Sequence, residues 1–186
     1  MNKGKLVIIS GPSAGVGKDT IVRMFLKIHP DWLELPSVTT RPMRAGEIEG
    51  LDYYFVDRPT FEKKVKSGEF LEWVETTGQL YGTLKEPVER MQRTGKNIIM
   101  RKDVRGALAI KKVWPKAITV CLLPDKWEAL EQQFRKRATE TEVLIQARLE
   151  LAKEELTYQS HFDHLIINPY NRPKVAVAAV EKAAGF

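Results

Sequence analysis

Cysteine is nearly missing from this chain: Cys121 is the only one in 186 residues. A single thiol forms no internal disulfide and no cysteine-based zinc site, and such a chain is expected in a reducing cytoplasm. Long apolar runs are missing too, and none approaches the ~18 residues that a bilayer crossing needs. The apolar stretch near the start follows Lys3 and Lys5, is too short for a secretory signal and runs straight into glycines. There is no internal repeat and no low-complexity linker. No stretch interleaves aromatics with Lys and Arg, the pattern of a single-strand nucleic-acid groove. The net charge of +6 is therefore assigned to affinity for small phosphates, with ordinary solubility as the plain alternative. Neither nucleic acid nor a membrane is expected as a partner.

What is present suits a packed enzyme. Hydrophobic residues make up 43% and charged residues 29%, enough to build a core and too apolar for wholesale disorder. Lys5 to Ser10 is a short β-branched run that reads as a buried strand, as do Asn97 to Met100, Ala117 to Leu123 and His164 to Ile167. Helical spacing appears at Thr20 to Ile28, Pro87 to Arg93, Val104 to Val113, Lys126 to Lys136 and Asn171 to Ala184. Strands alternating with helices predict a three-layer α/β fold around a parallel sheet. Ser37 to Thr83 breaks the rhythm, with short β-like pieces around one helix at Thr60 to Ser67, and is expected to be a small inserted lobe of mixed sheet. Thr139 and Glu142 form a Thr-x-x-Glu capping box that opens a further helix. The expected division is a core at 1–36, 84–133 and 159–186, an inserted lobe at 37–83 and a helical lid at 134–158.

The first strand leads into Gly11-Pro12-Ser13-Ala14-Gly15-Val16-Gly17-Lys18-Asp19-Thr20. A glycine-rich loop between a strand and a helix is the context of a phosphate-binding loop. Small residues let successive backbone N–H groups curl around phosphate oxygens, the helix N-terminus adds partial positive charge, and Lys18 supplies a point charge. A strand-to-helix turn that merely needs glycine is the structural alternative. Two departures stand out. Five residues separate Gly11 from Gly17 where the usual motif has four, and Asp19 follows the lysine where Ser or Thr ordinarily contacts magnesium. Asp19 and Thr20 are the candidate metal ligands.

Further along stand Ser37-Val-Thr-Thr-Arg41-Pro-Met-Arg44-Ala-Gly46-Glu47, then Asp52-Tyr53-Tyr54-Phe55, Gly68-Glu69-Phe70-Leu71-Glu72-Trp73 and Tyr81-Gly82-Thr83. With these motifs the chain resembles the guanylate kinases over nearly its whole length, out to Ile166-Ile167-Asn168. The resemblance implies a P-loop nucleoside monophosphate kinase that moves the γ-phosphoryl group of ATP to GMP or dGMP, with Mg2+. It implies a clamp on the GMP phosphate from Arg41, Arg44, Tyr53 and Tyr81, and base readers at Ser37, Glu72, Thr83 and Asp103. For ATP it implies Gly11, Ser13, Ala14, Gly15, Val16, Gly17, Lys18, Asp19, Thr20, Arg137 and Asn168. Catalytic charge would come from Lys18, Arg44, Arg137 and Arg148. One carboxylate at Glu72 suits guanine, which presents an N1–H and an exocyclic amine side by side, whereas adenine has no N1–H to offer. Taken singly, Arg41 and Arg44 read as solvated charges, Glu72 as an outward strand residue, and Trp73 as a core aromatic. Relatives carry two acids around Lys102. The second is Asp103 and the first is replaced by Arg101, which is expected to weaken the field on magnesium or to meet phosphate itself. A family arginine is Gln133 here, with Arg135 the nearest replacement. Two other readings follow from these departures: a related kinase of ribose bisphosphate type, and a catalytically weak binding module of the same fold.

Overall fold

The computed structural model describes residues 4–12, 15–76, 78–136 and 142–186. In chain order the elements are β1 (Leu6–Ser10), α1 (Lys18–Ile28), β2 (Trp32–Glu34), β3 (Ser37–Thr39), β4 (Tyr53–Phe55), α2 (Arg58–Lys66), β5 (Phe70–Thr76) and β6 (Gln79–Leu84). There follow α3 (Lys85–Arg93), β7 (Asn97–Arg101), α4 (Val104–Val113), β8 (Ile118–Pro124), α5 (Trp127–Lys136), α6 (Glu142–Thr157), β9 (His164–Asn168) and α7 (Pro173–Ala184).

Five parallel strands in the order β2-β7-β1-β8-β9 form the main sheet. Every residue of β1 is buried, as expected of a central parallel strand covered on both faces. Alternate residues serve opposite faces. Val7, Ile9 and Ile99 pack with Ile21, Val22 and Phe25 of α1 and with α7, while Leu6, Ile8, Ile98 and Met100 pack with Val88 of α3 and with α4. The edge strand β2 went unread in the sequence. It is only three residues long, ends in a glutamate, and pairs Leu33 with Ile98 and Glu34 with Ile99.

A second sheet, of order β4-β3-β6-β5, carries one parallel and two antiparallel pairings. One of its faces is closed by α2, where Phe61 stacks on Phe70 at 4.4 Å and packs with Val38 and Leu80. The other face is left to the cleft between the sheets. Asp57 caps α2 by accepting from the Thr60 N–H at 2.9 Å.

A bulge in β5 decides which side chains reach that cleft. Phe70 pairs with Leu84, but Glu72, two residues on, pairs with the adjacent Thr83. The extra residue, Leu71, lets Phe70 face α2 while Glu72 faces the cleft with Thr83. Trp73 then falls opposite Gly82 on the far face and stays 47% exposed. This corrects the expectation of a core tryptophan: neighbouring strand residues point to opposite faces, and here the glutamate takes the inward one.

Candidate functional site

The phosphate loop joins β1 to α1. Gly17 sits before α1 in a left-handed conformation, φ 84°, which glycine adopts without strain. A Cβ there would lie 2.6 Å from Asn168 Nδ2. That amide donates to the Val16 carbonyl at 2.9 Å, so the end of β9 braces the loop. Asn168 Oδ1 is buried and has no hydrogen-bond partner among the described residues. Lys18 Nζ donates to the carbonyls of Gly11 and Pro12, at 3.1 and 2.5 Å. Desolvation under the loop pulls its pKa below the ordinary lysine value, against the opposing fields of Glu155, Asp19 and Asp103. Two neutral carbonyls thus hold the lysine under the loop.

A cleft of about 450 Å³ runs from this loop to the open face of the second sheet. Gly15, Val16, Gly17, Lys18 and Asp19 line one end, and Ser37, Arg41, Arg44, Tyr53, Glu72 and Tyr81 line the other, with Asp103 and Arg148 also on its wall. Residues far apart in sequence thus share one space. A second cavity, of about 320 Å³, lies on the opposite side of the loop and is lined by Gly15, Val16, Thr20, Asp125, Asn168 and Tyr170 among others.

Glu72 is the buried acid of the cleft, 8% exposed. Its Oε1 accepts from the Thr83 hydroxyl at 2.5 Å, and Lys102 Nζ is 3.6 Å away. Burial pushes its carboxyl above the usual range, Lys102 and the Thr83 hydrogen bond oppose that, and Asp103 adds to it. The N-terminus of α4 comes very close here. A Cβ on Gly106 would lie 3.2 Å from Glu72 Oε2 and 3.0 Å from Asp103 Oδ1, tight enough to press on both carboxylates. Asp103 caps α4 through the Gly106 N–H at 2.6 Å and sits on the cleft wall as well, so the capping role and the site role coincide.

Arg41 makes a two-pronged contact with Glu47, at 2.7 and 3.0 Å, and lies 5.4 Å over the Tyr53 ring. Glu47 also accepts from the Arg44 N–H at 2.7 Å, which fixes the turn that carries Arg44. Tyr53 and Tyr81 meet edge to face at 6.2 Å. Burial raises the Tyr53 pKa, so its phenol remains a donor. Glu47 and Lys102 are site residues that sequence reasoning passed over. The signal for Glu47 was its place six residues after Arg41. Lys102 was hidden inside a charged triplet.

Arg101 lines the same cleft as Lys102, but the two side chains turn to different ends of it. Alternation at the end of β7 sends Arg101 to the α1 face, where it donates to Glu34 at 2.5 Å and to Asp19 at 3.1 Å. Arg135 contacts Glu131 and Glu142. The expectations for Ser13, Ala14, Arg137, the cap at Thr139 and the side chain of Gln133 lie outside the described residues.

Among the described residues no group of three or more His, Cys, Asp or Glu is placed to hold a metal ion. Asp19 and Thr20 supply two oxygen donors beside the loop, and one of the Asp19 oxygens already faces Arg101. Magnesium tolerates so sparse a protein contribution when phosphates and water complete its octahedron. Asp19 lines the first cleft and Thr20 the second, so an ion that arrives on a nucleotide would meet them singly and not as a joint site.

Comparison with known proteins gives one consistent result. The family model described as Guanylate kinase matches residues 3–177. A guanylate kinase of Prochlorococcus marinus is 42% identical over 99% of this chain and 96% of its own length. One of Carboxydothermus hydrogenoformans is 43% identical over 90% of this chain and 82% of its own. The crystal structure of guanylate kinase from Anaplasma phagocytophilum superposes with a TM-score of 0.79 at 26% identity, covering 98% of this chain and 85% of that one.

Proposed function

The chain belongs to the guanylate kinase family, and we propose that it transfers the γ-phosphoryl group of ATP to GMP or dGMP, giving ADP and GDP or dGDP, in cytoplasmic purine nucleotide metabolism. The observation that carries this reading is the shared cleft. A buried carboxylate with a hydroxyl on it, Glu72 with Thr83, closes one end, and the phosphate-loop lysine closes the other.

The acceptor lobe is 37–83, the lid 134–158, and the core the remainder. Guanine offers its N1–H and 2-amino group to Glu72, with Ser37, Thr83 and Asp103 completing the base pocket. Arg41, Arg44, Tyr53 and Tyr81 grip the acceptor phosphate. Arginine suits this because its planar fork meets two phosphate oxygens at once. Gly11 to Thr20 cradle the donor phosphates, and Asn168 with the second cavity suits the donor base. Mg2+, when bound, neutralises part of the triphosphate charge.

The acceptor oxygen attacks in line, with no covalent enzyme intermediate. Charge on the migrating group spreads over its equatorial oxygens, so positioned cations dominate catalysis. Lys18, Arg44, Arg137 and Arg148 are those cations. Lys18 exchanges the carbonyls of Gly11 and Pro12 for phosphate oxygens. Closure of the two lobes excludes water that would otherwise hydrolyse the nucleotide. An ADP-release assay over GMP, dGMP, AMP, UMP and ribose bisphosphate tests the reading. Turnover with GMP and dGMP alone is expected. Activity confined to the sugar phosphate, or GMP binding without turnover, overturns it.

A further inference from the structure

Lys102 is 8% exposed, and a lysine is almost never that buried without a partner. Its N–H donates to the Ile9 carbonyl at 3.0 Å, which prolongs the pairing of β7 with β1 one residue past Arg101. Alternation then carries its side chain to the α4 face, opposite to Arg101. There Nζ donates to Ser37 Oγ at 2.5 Å and stands 3.6 Å from Glu72 Oε1. One buried ammonium on the main sheet therefore meets both a hydroxyl and the carboxylate of the second sheet that face the acceptor base.

We propose that Lys102 is a specificity-determining residue of the acceptor pocket: it pairs with Glu72 and donates a hydrogen bond to the 6-oxo oxygen of the purine. This rests on the assignment of GMP to the cleft. An ammonium has three donors. One goes to Ser37 and a second faces Glu72, which leaves one for a ligand. In guanine the 6-oxo oxygen adjoins N1. A base whose N1–H and 2-amino group meet the carboxylate sets that oxygen beside it, within reach of a cation already 3.6 Å from Oε1. Adenine puts an amine at the same place, so a donor would meet a donor, and the pocket gains a repulsive element against the wrong purine.

Among the described residues, the charged groups that act most strongly on Glu72 are Lys102, from the β7–α4 junction, and Asp103, from the start of α4. Of these two charges, Lys102 favours the ionised form that accepts two N–H donors, as the Thr83 hydrogen bond also does. Removing Lys102 leaves the Thr83 hydrogen bond alone against burial and Asp103, which drive the carboxyl towards protonation.

The test is Lys102→Met, which keeps the apolar stem and removes the ammonium. KM for GMP should rise about 10- to 100-fold, the loss of a hydrogen bond to a charged group. At saturating GMP, kcat should stay within about fivefold of wild type, the split expected of a ground-state contact. The acid limb of kcat/KM for GMP should move to higher pH. At a pH above that limb, binding of 6-thioguanosine monophosphate, which keeps the N1–H and 2-amino group and carries only a weak acceptor at position 6, should change by less than about threefold. Unchanged KM for GMP, or equal weakening of both acceptors, overturns the proposal. Lys102→Gln, a neutral donor, is the second variant, and thermal melts select whichever keeps the wild-type fold. Wild-type enzyme with 13C-labelled lysine needs no variant at all. A lysine Cε signal that moves with GMP and less with the 6-thio analogue supports the contact, and its absence overturns it. Wild-type enzyme that fails to phosphorylate GMP overturns the underlying activity instead.

Discussion

The guanidinium of Arg101 donates to the carboxylate of Asp19 across 3.1 Å, so two of the residues that stood out in the sequence as departures touch each other. Arg101 also meets Glu34, whose carboxyl is raised by burial and held back by this arginine. The three side chains form a chain of alternating charge from β2 through β7 to the start of α1. One acid at the loop is thereby matched by one base at the strand end.

Asp19→Ser therefore tests what that match does for the donor site. The substitution removes a negative charge beside the phosphates and leaves Arg101 facing them. KM for ATP should fall about three- to tenfold, the scale of a partly exposed charge pair. Half-saturating magnesium should rise, because the site loses a carboxylate oxygen donor and keeps the positive charge of Arg101. Magnesium and ATP titrations of both proteins give the answer. A rise in KM for ATP shows Asp19 to be a required nucleotide contact, and an unchanged magnesium requirement removes it from the metal site.

Glu72 gives a pH prediction with a definite sign. Its folded pKa lies above the unfolded value because burial disfavours the charge. In the window between the two values the native state binds more protons than the unfolded chain, so stability falls as pH rises through it. GMP binding runs the other way, since only the ionised form accepts both guanine N–H groups. The acid limb of kcat/KM for GMP should therefore lie above the ordinary glutamate range, and that for ATP should lack it. Glu72→Gln should remove the limb and raise KM for GMP at least about 100-fold. An identical acid limb in that variant would assign the titration to another group.

The transferring cations form a third test. Lys18→Met, Arg44→Ala, Arg137→Ala and Arg148→Ala should each cost about 10²- to 10³-fold in kcat with the fold intact by circular dichroism. Near-normal turnover in any of them removes that residue from the transition-state contacts.

Much of this architecture was legible because local pattern and tertiary role coincide. The β-branched run before Gly11, the glycines and the amphipathic α1 predict strand, loop and helix from spacing alone. Elements whose role is set by distant partners were not legible. The strand β2 has three residues, and its place depends on β7. The inward aim of Glu72 depends on a bulge at Leu71, which no periodicity announces. Arg101 and Lys102 are adjacent in a charged triplet that reads as solvated surface. Only the end of β7 shows that one side chain turns to Asp19 and the other to Glu72.

Closure can be read from tryptophan, and the position of each ring selects the reporter. Trp73 projects from the outer face of the second sheet, away from the cleft, so its surroundings change little when that sheet approaches the core. Trp32 is buried against Phe25 in the core cluster, with ring centroids 5.1 Å apart, so closure should leave its surroundings little changed. Trp127, at the start of α5, packs on the cluster of Leu130, Ile145, Leu149 and Ala152, with Lys153 Nζ 5.8 Å from its ring. That cluster joins α5 to α6, and α6 carries Arg148. Trp127 should report the movement if bringing Arg148 to a phosphate shifts α6 against α5. Saturating GMP with a non-hydrolysable ATP analogue should change the fluorescence and shrink the radius of gyration in X-ray scattering. Trp127→Phe should abolish the fluorescence change while leaving the contraction, and Trp73→Phe should preserve both. Loss of the signal in Trp73→Phe would place the moving contact on the acceptor lobe, and neither signal in wild type would mean that transfer occurs without closure.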